Sequence, residues 1–359
     1  MCKIDNMKRF IGNFLKLISK NNYPFGKHFS KVIELLYLSV AFRFRIIKTS
    51  IYLFKVRCRK RNLHLNLTSK HKIKFPDIGT PITVPSIVSD GVNIKGAARI
   101  SNGNYEALAD FAGRPIQLYK HHGESLMNGI VLFKVNIQGE ISEFTIRHSL
   151  SSIPNYEDPK ICVHQNQTFL IMTNIISPIK HELGPWRSRI AVENLETGVI
   201  HQLLSPTNRG IEKNWIPIQS NGHLRLLYSS NPVSLISFEP SSGAAHFNAT
   251  NYKSSIILNN RTQMIKTPHP SIPFIRIGSK KFAHRKFGYT PFHYFEILSD
   301  NFEPIKMSRP FVFSSIQMEM CQGLTIKGTT LIMSWTENDK DNMIGSIEIE
   351  SVLKLFKQF

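Results

Sequence analysis

The sequence predicts an all-β fold, a five-bladed β-propeller preceded by a basic α-helical N-terminal arm, and three observations carry that expectation. From about residue 80 the chain runs in short apolar or alternating stretches broken by Gly, Asn, Ser and Pro, as in Ile130-Val-Leu-Phe-Lys-Val-Asn-Ile137, Thr168-Phe-Leu-Ile-Met-Thr173 and Thr330-Leu-Ile-Met-Ser-Trp335. This is the texture of strands with turn punctuation. The stretches recur in blocks at 86–144, 158–204, 215–247, 270–298 and 322–349, roughly one unit per 50 residues, the length that a four-stranded blade needs. No Gly-rich loop opens a helix to cradle a phosphate, so Rossmann and P-loop domains have no support. A sandwich would leave the repeated order of strand, turn and strand unexplained.

The chain divides at about residue 75. In residues 1–75, Phe10, Phe14, Leu15, Leu17 and Ile18 fall at helical spacing, an apolar run follows at 32–42, and Arg43, Arg45, Lys48, Lys55, Arg57, Arg59, Lys60 and Arg61 make the remainder basic. The run at 32–42 is too short for a bilayer core of about 30 Å. Two readings of the arm stand side by side: a helix lying on an anionic membrane surface, and a helical pair packed on the main domain with its Lys and Arg in water. Residues 76–359 are expected to make up the propeller, the catalytic domain.

With 359 residues, 42% of them hydrophobic, the chain can bury one large core or two smaller ones. Forty-five Lys and Arg against twenty-five Asp and Glu leave a formal charge of +20, which calls for anionic partners such as phosphorylated substrates, nucleotide sugars or anionic lipid. Nucleic acid is not expected, because no recognisable binding module accompanies the charge. Cys2, Cys58, Cys162 and Cys321 form no CxxC pair and no zinc spacing, which fits a reducing compartment. The first twenty residues lack both a clean apolar core and a small-residue cleavage site, so no secretory signal is read. The expected location is cytoplasmic, with the arm able to rest on the inner face of a membrane.

Two segments carry the chemistry. Glu157-Asp158-Pro159-Lys160 and, about fifty residues on, Glu212-Lys213-Asn214-Trp215-Ile216-Pro217 each place a carboxylate and a cation beside an aromatic or a proline next to a strand-like run. A carboxyl group can give a proton to a glycosidic oxygen or take one from a sugar hydroxyl, while Lys and the Asn amide can hold phosphate or hydroxyl groups.

In that order the chain resembles the five-bladed propeller enzymes of glycoside hydrolase family 130, the β-mannoside phosphorylases, and the related β-mannosyltransferases. The resemblance spans about residues 80 to 350 and rests on five places: Pro85-Ser86-Ile87 with Lys95-Gly96-Ala97-Ala98-Arg99, Glu157-Asp158-Pro159-Lys160, Glu212-Lys213-Asn214-Trp215, His284 in Lys281-Phe-Ala-His-Arg-Lys286, and Ser334-Trp335-Thr336-Glu337-Asn338-Asp339. It implies that Asp158 is the catalytic carboxyl with Glu157 beside it. It further implies that Arg99, Lys160, Lys213, Asn214 and His284 face phosphate or a phosphate-bearing donor, and that Asp339 binds sugar hydroxyls. Trp215 and Tyr228 are candidates to offer an aromatic face to a sugar ring. The chain departs from the family at Lys160, where the family prefers Arg and a planar fork of donors is lost. It departs again at Leu226-Leu-Tyr-Ser-Ser-Asn-Pro232, where the Gly-Pro-Pro-Pro and His-Arg-Pro segments of the phosphorylases are missing.

The expectation is therefore an inverting enzyme that transfers a hexosyl unit, such as mannosyl, from a phosphate-bearing donor to a glycan hydroxyl. Neither a cofactor nor a metal is implied, since the cations already neutralise phosphate. The alternatives are a β-glycoside phosphorylase or hydrolase and a non-catalytic propeller that binds a glycan or a protein partner.

Overall fold

The computed structural model describes residues 63–109, 115–121, 127–150, 155–175, 188–207, 212–219, 223–230, 232–249, 258–260, 262–284, 288–314, 318–338 and 340–356, by backbone alone within 103–126, at 219, 230 and 260, and within 281–290. The helices expected within 1–62 lie outside the described residues. The chain divides into two units, and the larger comprises Asn62–Glu106, Tyr119–Lys281 and Thr290–Phe359.

The larger unit is almost all strand. After β1 (Ser69–Lys72) come β2 (Ile82–Ser89) and β3 (Ile94–Ser101), a separate pair β4 (Gly103–Ala109) and β5 (Pro115–His121), and then β6 (Asn128–Val135) and β7 (Ile141–His148), giving a first sheet in the order β2-β3-β6-β7. β8 (Asn155–His164), β9 (Gln167–Ile175), β10 (Ser188–Asn194) and β11 (Ile200–Leu203) form the second run in simple succession. β12 (Ile216–Gln219), β13 (Leu224–Ser230), β14 (Val233–Glu239) and β15 (Ala244–Ala249) form the third. The short β16 (Asn259–Asn260) is followed by the fourth, β17 (Met264–Lys266), β18 (Phe274–His284), β19 (Gly288–Leu298) and β20 (Pro304–Met307), and a parallel pair between β12 and β17 joins it to the third. The last run is β21 (Glu319–Lys327), β22 (Thr330–Glu337) and β23 (Asp341–Glu348), after which the chain turns into α1 (Ile349–Leu353). Its fourth strand is β1, antiparallel to β23 with Ser69 opposite Ser346 and Lys72 opposite Met343.

Burial explains why the strands read as they do. Eight of the nine residues of β9 are buried and include Phe169-Leu-Ile-Met172, whereas β15 at the far edge of the third run is mostly exposed. A strand covered on both faces reads as a near-continuous apolar run, and one at an edge shows polar residues on its open side. The first strands of the runs lie beside one another in the order β2, β8, β12, β17, β21, and β21 returns to β2. The apolar cores repeat that order. Val88 and Ala97 pack with Ile161 and Leu170 between the first and second runs, Phe169 and Val192 with Leu226 and Ile236 between the second and third, and Ile218 and Leu227 with Met264 and Phe274 between the third and fourth. Ile275 and Phe295 meet Met333 and Trp335 between the fourth and last, and Ile87, Val131 and Phe133 meet Ile332 and Ile344 where the last meets the first. The contact of β21 with β2 is close enough that a Cβ on Gly323 would lie 2.6 Å from the Ile87 backbone nitrogen.

The resulting fold is all-β, as the sequence implies, and the block boundaries fall close to the runs. Ser69–Lys72, however, lies inside the stretch that the sequence sets apart as a helical arm. It is a strand of the main body, with Leu63 and Leu65 tied to Val312 just before it (Val312 N–H to Leu63 O and Leu65 N–H to Val312 O, each 2.9 Å). No described helix is long and apolar enough to cross a membrane.

Candidate active site

The site starts from a backbone irregularity that the chain builds twice. In β2, Thr83 faces Arg99 and Ser86 faces Ala97, so Val84 and Pro85 together oppose one residue of β3. In β8, Glu157 faces Thr173 and Lys160 faces Ile171, so Asp158 and Pro159 together oppose one residue of β9. Two residues against one make a β-bulge, which bends the strand and redirects a side chain. Proline suits the second bulge position because it has no N–H to give to the ladder. Val84 and Asp158 are held at φ of 52° and 50°, in the left-handed region. Asp enters that region at modest cost, whereas a β-branched residue does so only where its surroundings force it. The bulge leaves the Asp158 side chain 21% exposed, while Glu157 and Lys160 on either side are buried.

Arg99 of β3 lies opposite the first bulge and is buried. Its Nη2 donates to Thr83 Oγ1 at 3.2 Å, and its Nη1 reaches Asp158 Oδ1 at 3.4 Å. Lys213, in the segment leading into β12, donates from Nζ to Glu157 Oε1. Three runs thus deliver two cations to two consecutive carboxylates. Burial, and then the neighbouring Asp158 carboxylate, push Glu157 above the ordinary glutamate value, and Lys213 and Arg99 only partly pull it back. Glu157 therefore keeps its proton to higher pH than an exposed glutamate does.

Asn214, next to Lys213, is half-buried at φ 60°. The segment carrying both is anchored by Glu212, whose buried carboxylate accepts from Trp215 Nε1 at 3.1 Å, Tyr228 Oη at 3.4 Å and Ser205 Oγ. Its backbone N–H also donates to Ser188 Oγ at 3.1 Å.

The structure brings together Arg99, Glu157, Asp158 and Lys213, with Asn214 and Lys160 adjoining in sequence. It corrects the expected role of Trp215, whose indole is 1% exposed and sits in the core between the second and third runs, with Tyr228 edge-on at a ring distance of 5.4 Å. Tyr228 is itself packed edge-on against Phe247 at 5.6 Å, and its hydroxyl is 2.6 Å from Thr207 Oγ1. Both rings help to lock the Lys213 segment in place: Trp215 has no open face, and Tyr228 is half-buried against two aromatic neighbours. Asp339 and the His284 side chain lie outside the described residues. Glu337, near Asp339, is held by Trp335 Nε1 at 2.9 Å, Lys70 Nζ at 3.0 Å and Ser314 Oγ. Burial pushes its carboxyl up, and these hydrogen bonds outweigh burial to leave it below the ordinary value.

Sequence reasoning missed Thr83, Val84 and the anchoring role of Glu212. A signal for the first two existed: Thr83-Val84-Pro85-Ser86-Ile87 and Glu157-Asp158-Pro159-Lys160-Ile161 repeat the spacing of Pro and Ile that accompanies the shared bulge. A cavity of about 630 Å³ lies elsewhere, lined by Ile94, Lys134, Ile137, Lys327 and Ile332 among others and by none of the charged site residues.

No family model and no curated protein matches the chain. Solved structures with a similar course include the β-1,2-mannobiose phosphorylase of Listeria innocua, with TM-score 0.49, 11% identity and coverage of 79% of this chain and 95% of that one. They also include MPT-4, a mannose phosphorylase from Leishmania mexicana solved with phosphate, with TM-score 0.48, 10% identity and coverage of 84% and 93%. A glycosyl hydrolase from Bacteroides ovatus has TM-score 0.48, 10% identity and coverage of 76% and 85%.

Proposed function

We propose that the protein is an inverting carbohydrate-active enzyme that breaks a β-glycosidic bond with inorganic phosphate, a β-glycoside phosphorylase, on a five-bladed propeller whose blades are the five four-stranded runs. The observation that carries the reading is the placement of Arg99 on Asp158 and Lys213 on Glu157, which sets two cations against a carboxyl pair raised on a bulge. Asp158, protonated, gives its proton to the glycosidic oxygen, directly or through a sugar hydroxyl, and the C–O bond breaks towards that oxygen. A phosphate oxygen held by Arg99, Lys213 and Asn214 attacks the anomeric carbon from the opposite face, giving a sugar 1-phosphate of inverted configuration and a free sugar hydroxyl. A phosphate dianion competes for the charge of Arg99 and Lys213. Glu157, already pushed above its ordinary value by burial and by Asp158, is pushed further the same way as Lys213 and Arg99 turn to the phosphate. His284 and Asp339 are proposed to complete the phosphate and sugar contacts.

Run backwards, the same steps transfer a hexosyl unit from a sugar 1-phosphate to a glycan hydroxyl, the synthetic direction that the sequence favours. The +20 charge favours a second reading in which the donor is a nucleotide sugar and the basic segment within 1–62 meets an anionic membrane.

The deciding experiment incubates the purified full chain with β-linked manno-oligosaccharides plus phosphate, with hexose 1-phosphates plus acceptors, and with GDP-mannose and other nucleotide sugars, each with and without Asp158→Asn. Phosphate-dependent release of a sugar 1-phosphate that disappears in the variant is expected. Consumption of a nucleotide sugar alone would move the protein to the transferase branch, and turnover untouched by Asp158→Asn would overturn the site.

A further inference from the structure

The first and last runs are joined beside the site by polar groups that the chemistry above does not use. Thr336 of β22 and Asn342 of β23 face each other in the ladder. Asn342 Nδ2 donates to the Ile82 carbonyl at 2.6 Å, Thr336 Oγ1 donates to Asn342 Oδ1 at 3.0 Å, and the Val84 N–H donates to Thr336 Oγ1 at 2.8 Å. The chain of bonds thus grips β2 at Ile82 and Val84, on both sides of Thr83. Thr83 is the residue that orients Arg99, through Oγ1 to Nη2 at 3.2 Å and through its ladder position opposite Arg99. Thr83, Val84, Arg99, Thr336 and Asn342 are all buried, so none of these bonds is shared with bulk water.

Val84 makes the arrangement informative. A buried valine at φ 52° is strained and persists only where its surroundings over-determine the backbone. The Thr336 hydroxyl supplies that determination, because it accepts the N–H of the strained residue. Without it the N–H is buried with no acceptor and the bulge has reason to relax into regular pairing. A relaxed bulge moves Thr83, and with it the guanidinium that Thr83 aims at Asp158.

We propose that Thr336 and Asn342 are positioning residues for Arg99: the last run of the sheet order sets the anion-holding group of the first through the Val84 bulge, so that closure of the fold and assembly of the site are one event. The proposal rests on the reading of Arg99 as the phosphate-holding group.

The test uses the full chain with Thr336→Val, which keeps the volume and deletes the hydroxyl, Thr336→Ser, which restores it, and Arg99→Lys as the reference. Calorimetric titration with inorganic phosphate and the KM for phosphate against kcat are read beside the melting temperature, and crystal structures of wild type and Thr336→Val are compared. Loss of a hydrogen bond of ordinary strength corresponds to about tenfold, so Thr336→Val should weaken phosphate about tenfold with a smaller change in kcat. Thr336→Ser should return it to within about twofold, and Arg99 should leave Thr83 in the Thr336→Val crystal. Weaker phosphate binding in Arg99→Lys but not in Thr336→Val would overturn the positioning role and leave the function standing. So would a Thr336→Val defect that appears only as a lower melting temperature, or that serine fails to rescue. If wild type binds no phosphate, the functional reading fails instead, and the crystal pair decides the positioning claim by itself: an unmoved Arg99 overturns it.

Discussion

At the residue scale the proposed chemistry turns on the side chain of Asp158. Replacing Asp158 by Asn keeps the shape of the bulge and removes the only role that needs a titrating oxygen there. We expect kcat to fall by about a hundredfold to ten-thousandfold, the usual span of general acid catalysis, with phosphate affinity changed far less. Steady-state kinetics at saturating phosphate would check this. Glu193, bonded to Arg147 and His148 and to none of the proposed site residues in the bonds described, gives a separate pH prediction. Burial pushes its carboxyl up, but hydrogen bonds from His148 Nε2 at 2.7 Å and Arg147 Nε at 2.7 Å outweigh burial and leave it below the ordinary value of 4.5. A carboxyl lowered on folding stabilises the protein above its unfolded value, and that contribution is lost as pH falls through the folded one. Wild type should therefore lose melting temperature steeply below about pH 4.5. Glu193→Gln should start lower and show a shallower acid slope, measured by thermal melts in steps of pH. A slope identical to wild type would show that Glu193 does not control the acid limb.

At the element scale the turns and bulges govern which residues reach the site. The β8–β9 hairpin closes His164 on Gln167 through Gln165 and Asn166, at φ 49° and 63°. That is the signature of a type I′ turn, for which Asn followed by Gly is the preferred pair. The double change Gln165→Asn with Asn166→Gly should therefore stabilise the protein by roughly 0.5–1 kcal/mol, by removing left-handed strain from an exposed turn. Chemical denaturation would read it directly. Gly96 is the opposite case, a glycine that no other residue can replace without displacing its neighbour. A Cβ there would run into the Phe133 ring, so the bare backbone of β3 is what lets that ring lie across it.

Much of this scale was legible in the sequence. The apolar runs mark inner strands such as β6, β9 and β22 because those strands are covered on both faces, and the block limits follow from turn residues that must lie at the surface. The bulges were not legible, because a bulge is a count of residues between two partners and the partner strand does not show in local composition. The burial of Trp215 was equally hidden. Its ring neighbour Tyr228 lies in β13, its core partners Phe169 and Val192 lie in β9 and β10, and the carboxylate that accepts its N–H, Glu212, looks like a ligand until its partners are seen. Arg99 reaches Asp158 and Lys213 reaches Glu157 because the end of β3, the start of β8 and the segment leading into β12 come together.

At the scale of the whole molecule, stability depends on joining the first sheet to the last. Ile87 and Phe133 share a core with Ile332 and Ile344, and β1 completes the last run after the chain has passed through every other. A chain beginning at residue 63 keeps β1 and should fold cooperatively. One beginning at residue 76 lacks Leu63, Leu65 and Ile73 as well as β1 and should melt several degrees lower or aggregate. Differential scanning of the two truncations would separate this structural role from any membrane role of residues 1–62, which co-sedimentation of the full chain and the 63-start chain with anionic vesicles addresses independently.

The direction of the β1–β23 pair has a mechanical consequence. Because Ser69 at the start of β1 is bonded beside Ser346 near the end of β23, a tension applied between residues 62 and 356 meets the ladder at one end and opens its bonds singly. After Leu63 and Leu65 are torn from Val312, the clasp should peel like a zipper at low force, while a pull applied between residue 72 and the end of β23 would load all of its bonds together in shear and resist far more. The same closing strand would thus be weak or strong according to where it is held.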